Sequence, residues 1–233
     1  MRLTELLRFE MAGAGFIEAL TFGLCAEREA FKFLKRPNDG KTVVKMANPM
    51  DENNEIVRPA LLPGILKTIA SNREVGVSKG LRLFEVSDVC LLDPTTDTGA
   101  KNERHICVCY TGPTAGLEII HGVVDRLFEL LNIRPEETTE IQSMSRGEIK
   151  ESKESRGKEG GEPIQRYVLE EMENDTYFPQ RSAAILIDGG DGKPPVRVGE
   201  MGVLHPEVLT MFQLGYPVSC MEINLEMFVD ATD

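Results

Sequence analysis

The stretch 48–93 constrains the fold of this chain more than any other: NPMDENNEIVRPALLPGILKTIASNR, a short gap, then LRLFEVSDVCLLD. Its first residues are polar and read as a loop. The spacing predicts a helix over 61–72, with Ile65, Leu66 and Ile69 on one face. Pro63 falls in the first turn of that helix, where a missing N–H costs little. Residues 81–92 then read as one long buried strand, with Leu81, Leu83 and Glu85 on one side and Phe84 and Val86 on the other.

Helix and strand signals continue on both sides of this unit. Leu3, Leu6, Leu7, Phe9 and Met11 give an imperfect helical stripe over 2–14, and Gly13 and Gly15 suit its end. Residues 17–25 are rich in β-branched and aromatic types and read as a strand. A short helix over 28–34, a Pro/Asn/Gly turn at 35–40 and a short strand at 42–46 follow. Further strands are expected at 105–110, 166–170, 182–187, 196–201 and 220–225, and a short helix at 206–212. The clearest amphipathic helix is 117–132, where Ile120, Val123, Val124, Leu127 and Leu131 recur at helical spacing before Pro135. Glycines at 189, 190 and 192 make a hairpin turn rather than a phosphate loop, since no Gly-Lys-Ser/Thr follows.

Roughly seven or eight strands and four or five helices, with hairpin-like adjacency late in the chain, indicate an α+β fold with a largely antiparallel sheet flanked by helices. The whole chain, 1–233, is expected to form one domain. The stretch 143–163 is almost purely charged residues, Ser and Gly; it cannot bury enough apolar surface to offset its ordering entropy and is expected to be a mobile surface insertion.

Composition excludes several function classes. A net charge of −12 repels a phosphate backbone, which argues against broad nucleic-acid contact. No apolar run approaches the roughly 20 residues of a membrane span, and the first residues carry dispersed charges unlike a signal peptide. The five cysteines are odd in number and scattered, as in a reducing, cytoplasmic compartment. Cys107 and Cys109 share one strand face with His105, but a zinc site needs further ligands at ligand spacing, so no metal residue is assigned. His121 reads as a boundary histidine and His205, before Pro206, as a helix cap. No Ser/His/Asp or Cys/His order stands out, and no catalytic or cofactor-binding residue is assigned.

Several blocks resemble, in the same order, the β subunit of eukaryotic and archaeal phenylalanyl-tRNA synthetase. They include LTELLRFEMAGAGFIEALTFGL at 3–24, VRPALLPGILKTIASNR at 57–73, RLFEVSDVCLLD at 82–93, LEIIHGVVDRLFELLNI at 117–133 and GEMGVLHPEVLTMFQLGYPVSCMEINL at 199–225. YFPQRSAAILI at 177–187 departs at Gln180, where the family usually carries Gly. The resemblance implies a catalytic-like module with a class II aminoacyl-tRNA synthetase-like fold. It also implies a C-terminal segment lacking the editing domain and the acidic magnesium-binding cluster of the preceding domain, with Met1 an internal start. The helix and strand at the N-terminus would be motif 1, the usual dimer-interface element.

Class II activation grips ATP on an antiparallel sheet with arginines from motifs 2 and 3, because phosphoryl charge must be neutralised by cations held in place. Arg82 and Glu85 superficially suggest motif 2 at a different spacing. The motif 3 equivalent, CMEINLEMFVD, has no arginine, and Glu222, Glu226 and Asp230 would repel a triphosphate. The expectation is a non-catalytic assembly module that packs against a catalytic α subunit in an (αβ)₂ enzyme charging tRNA(Phe) with phenylalanine. ATP and magnesium would serve the holoenzyme and no cofactor this segment. The interface residues expected are Leu3, Leu6, Leu7, Phe16, Leu20 and Phe22 of the motif 1-like helix and strand, with Arg58, Leu61, Leu62 and Pro63. Expressed alone, such a segment would self-associate through its uncovered apolar face. The alternative is a module that keeps nucleotide or amino-acid binding of its own.

Overall fold

The computed structural model describes residues 2–73, 80–136, 165–189 and 193–229. In chain order the elements are α1 (Arg2–Gly13), β1 (Ile17–Glu18), β2 (Leu24–Cys25), α2 (Glu27–Ala30), β3 (Ile56–Val57), α3 (Leu62–Ser71), β4 (Leu81–Leu92) and β5 (Ala100–Thr111). Then come α4 (Leu117–Leu130), β6 (Arg134–Pro135), β7 (Arg166–Glu171), β8 (Tyr177–Ile187), β9 (Val196–Leu204), α5 (Pro206–Met211), β10 (Val218–Asn224) and α6 (Glu226–Val229).

Eight strands form one sheet in the order β1-β4-β5-β10-β9-β8-β7-β6. The six inner strands pair antiparallel, and the short β1 and β6 add a parallel edge at each side. The α+β fold expected from the sequence is thus the one observed. Strand alternation divides the apolar side chains between two cores. On one face Phe84, Val108, Met221 and Met201 stand in register across four strands and pack beneath α1 and α4. On the other, Leu83, Cys109 and Cys220 pack beneath α3, α5 and Leu34.

The sequence misjudged the irregular N-terminal third. The strand expected at 17–25 is two two-residue strands in different sheets: β1 joins β4, whereas β2 pairs with β3. The strand expected at 42–46 contributes only isolated bridges, Val43 to Leu91 and Lys45 to Ile56. The helix expected at 28–34 is the single turn α2. By contrast, β4 spans the residues expected of it, and β5 and β8 begin several residues before their apolar runs. The insertion 143–163 and the tip of the 189–193 turn lie outside the described residues.

Gln180 has φ +60°, beside a register shift between Tyr177 and Ser182 in the β8–β9 pairing. A left-handed backbone favours glycine, because a Cβ there costs about 1–2 kcal/mol, partly offset by the greater freedom glycine has when unfolded. Gln180→Gly is therefore expected to be neutral or to stabilise by up to about 1 kcal/mol, and Gln180→Val to destabilise by at least about 1 kcal/mol. Urea denaturation midpoints of the three proteins measure this.

Candidate functional site

The face of the sheet beneath α3 carries an unusual row of polar side chains. Glu85 of β4, Cys107 of β5, Glu222 of β10 and Glu200 of β9 stand in direct register across four adjacent strands. Three carboxylates on one buried sheet face would repel one another unless each had its own partner. Each has partners, and for each at least one arrives from a segment that covers the sheet.

Glu85 is only 1% exposed at its side chain and meets Arg58 at 2.7 Å. Thr21 completes the cluster: its hydroxyl donates to Glu85 Oε2 at 2.8 Å and its N–H to Oε1 at 3.3 Å. Arg58 also donates to the Thr21 hydroxyl and carbonyl oxygens, and its Nε to the Asp88 carbonyl at 3.0 Å. A buried carboxylate with three donor contacts is satisfied; one stripped of its arginine is not.

Glu222 receives the first N–H groups of α3, from Leu61 at 2.9 Å and Leu62 at 3.1 Å. A carboxylate here satisfies orphan helix donors and complements the positive end of the helix dipole. His105 Nδ1 lies 2.9 Å from the same carboxylate, and its Nε2 lies 3.7 Å from Glu103. Burial disfavours the imidazolium, but the hydrogen bond and charge of Glu222, with Glu103 behind, outweigh it and raise the His105 pKa. Burial likewise opposes ionisation of Glu222, but His105 and the α3 N–H groups overcome it and lower its pKa.

Glu200 accepts from Arg36 at 2.5 Å, Arg197 at 2.6 Å and the Tyr177 hydroxyl at 2.9 Å. Arg36 belongs to the turn after α2, and its neighbour segment is fixed by the Thr176 hydroxyl donating to the Leu34 carbonyl at 2.6 Å. The thiols on this face are not nucleophiles: burial pushes Cys107 up to about 12 and raises Cys109 further from ionisation. Among the described residues no cluster of three or more His, Cys, Asp or Glu is arranged to hold a metal ion.

The residues expected at an interface divide by exposure. Leu3, Leu7 and Phe16 pack in the core under α1, Leu61 and Leu62 in the core under α3, and Pro63 and Arg58 are buried as well. Those seven serve the chain's own interior. Leu6, Leu20 and Phe22 lie outside, at 41, 79 and 87% exposure, and they are joined by Phe9 and Ile17, which sequence reading left out. Arg82 and Glu85 do not act together: three residues apart on a strand, they face opposite sides, and Arg82 stacks over the Phe16 ring at 5.9 Å. Glu226 accepts from the Arg104 N–H at 2.6 Å, and Asp230 lies outside the described residues. His205 caps α5 through a 3.2 Å bond from Glu207 N–H, and half-exposed His121 pairs with Asp125 at 3.2 Å.

Glu85→Ala or Arg58→Ala should each destabilise the chain by about 3–5 kcal/mol, because either leaves a buried charge unpaired. The His105–Glu222 pair gives a pH signature. Its histidine part is fully stabilising below the ordinary value of 6.5 and is lost as pH rises through the raised folded value. Its glutamate part is present above the ordinary 4.5 and lost as pH falls through the lowered folded value. Thermal midpoints should therefore fall as pH rises above 6.5, and His105→Asn should flatten that slope.

Known proteins resemble this chain throughout. The family model described as the phenylalanyl tRNA synthetase beta chain CLM domain matches residues 1–225. The "Phenylalanine--tRNA ligase beta subunit" of Homo sapiens is 41% identical over 228 residues, 98% of this chain and 33% of that protein. The Mus musculus protein of the same name is 40% identical over the same shares. That of Saccharomyces cerevisiae is 33% identical over 229 residues, 98% of this chain and 35% of the relative. The chain thus spans about a third of the length of the curated relatives it matches. A solved structure of Desulfitobacterium hafniense PylSc, a pyrrolysyl tRNA synthetase, superposes with a TM-score of 0.65 over 99% of this chain and 67% of its own. At 12% identity that likeness concerns the fold alone, which is that of a class II synthetase. With its sheet order, its helix-then-strand start and relatives of one name along its whole length, this chain belongs to the phenylalanyl-tRNA synthetase β-chain CLM domain family.

Proposed function

We propose that this segment is a non-catalytic, class II synthetase-like module of a phenylalanine–tRNA ligase β subunit, and that it supplies an assembly surface for the catalytic α subunit. The observation that carries the proposal is the occupied sheet face. Where class II activation needs free arginines aimed at phosphates, this face presents Glu85, Glu222 and Glu200, with Arg58, His105 and Arg36 already bound to them. A triphosphate would have to displace these pairs and meet their carboxylates. In this reading ATP, magnesium and phenylalanine are handled by the α subunit of an (αβ)₂ enzyme in the cytoplasm that charges tRNA(Phe). No described helix is long and apolar enough to cross a membrane.

The surface supports the other half of the proposal. Leu6 and Phe9 lie one turn apart on the outside of α1, and Ile17, Leu20 and Phe22 project from the segment that follows. Large exposed apolar side chains concentrated in one short stretch mark an association site. Separated from its partner, the module should self-associate through them.

One observation favours a different reading. A cleft of about 710 Å³ is bordered by Lys35, Arg36, Glu173, Asp175 and Glu200. With Arg36 paired to Glu200 and Lys35 to Glu207, the further charges on its rim are the carboxylates Glu173 and Asp175, which suit the ammonium group of an amino acid better than a nucleotide.

The first reading is tested on the β subunit carrying this segment, co-expressed with its α subunit. Leu20→Ala with Phe22→Ala should weaken αβ association at least tenfold, as expected for exposed anchor residues. Association unchanged by the double substitution would overturn it.

A further inference from the structure

Leu20 and Phe22 are more exposed than a mobile loop would need to explain, because the chain that carries them is tied down at every second residue. Ala19 donates its N–H to the Phe84 carbonyl at 2.7 Å. Thr21 is held by Glu85 and Arg58 through both its backbone and its hydroxyl. The Gly23 carbonyl accepts from the Arg58 N–H at 3.0 Å, and Cys25 pairs with Ile56. The inward residues are fixed, and the outward ones between them are Leu20 and Phe22. Leu20 also stands between two recesses of about 360 and 350 Å³, one floored by Leu3, Val86 and Arg104, the other by Leu24, Pro63 and Gly64.

We infer that Thr21 is a positioning residue for assembly: the buried Glu85–Arg58 pair grips it so that Leu20 and Phe22 are presented in one geometry to the α subunit. The inference rests on the assembly reading above. Its physical basis is preorganisation, since a side chain already held in its bound position loses less freedom on association. Gly64 belongs to the same device. A Cβ at residue 64 would lie 2.3 Å from the Thr21 hydroxyl oxygen and 2.7 Å from its Cβ, so the α3 backbone approaches Thr21 only because residue 64 has no side chain.

The test uses the β subunit with its α subunit and reads the αβ dissociation constant, hydrogen exchange of amides 19–23 in free β, and the thermal midpoint. Thr21→Val removes the hydroxyl at nearly constant volume, Thr21→Ser keeps it, and Gly64→Ala displaces Thr21 without touching a charge. The expected result is a loss of about tenfold in affinity for Thr21→Val and Gly64→Ala, with faster exchange at 19–23, in proteins that remain folded. Thr21→Ser should bind like wild type. If Phe22→Ala weakens association but Thr21→Val and Gly64→Ala do not, the positioning role is wrong and the assembly reading stands. If wild-type β does not associate with α, or Phe22→Ala leaves association intact, the assembly reading fails and takes this inference with it.

Discussion

The ion pair between Glu85 and Arg58 gives a buried side-chain tie to parts of the chain that otherwise meet through very short strand pairs, β1 with β4 and β2 with β3. Glu85 stands in the middle of β4, Arg58 follows the two-residue strand β3, and Thr21 lies between β1 and β2. A buried carboxylate of this kind is tolerated only when its oxygens are fully engaged, so the three segments must arrive together or not at all. From there the constraint spreads. Arg58 fixes Asp88 and Gly23, Gly64 admits α3 against Thr21, and α3 in turn rests its first N–H groups on Glu222. The sheet face is closed by charge pairing at three points and by apolar packing between them.

That closure uses the class II frame with the charges exchanged. A synthetase that activates an amino acid keeps cations on its sheet for a phosphate that comes and goes. Here the sheet bears carboxylates, Arg58 and Arg36 reach them from the covering segments and His105 from the neighbouring strand β5, so the pairing is internal. The apolar residues left over are outside, on α1 and on the Leu20–Phe22 stretch. This distribution fits a module whose work is to be bound.

Much of this fold is legible in the amino-acid sequence. Elements whose side chains follow one period and are packed by it were found nearly to their ends: α1, α3, α4 and β4. The run 17–25 misled for an instructive reason. Its alternation is real, but in the middle its partners are the side chains of Glu85 and Arg58 rather than a neighbouring strand, and sequence pattern cannot tell the two apart. The residues expected at an interface divide into buried and exposed for a similar reason. Leu3, Leu7 and Leu62 lie in stretches that also carry Leu6 and Phe9, and only the packing of the helix decides which leucine is inside. Arg58 was singled out but its partner was not, since Glu85 is 27 residues away and reads as one side of a strand. The capping of α3 by Glu222 spans some 160 positions and leaves no local signal at all. Gln180, noted only as a departure from the family's glycine, proved to have the left-handed backbone that glycine favours.

The most direct measurement is a titration of the chain with ATP and magnesium, followed by amide and side-chain NMR signals of Arg36, Arg58, His105 and the three sheet glutamates. If the face is closed by its own ion pairs, those signals stay in place while α-subunit addition perturbs Leu20 and Phe22. Saturable shifts at Arg36, Arg58 or Glu222 on adding ATP would contradict this, because they would require the internal pairs to open for a phosphate.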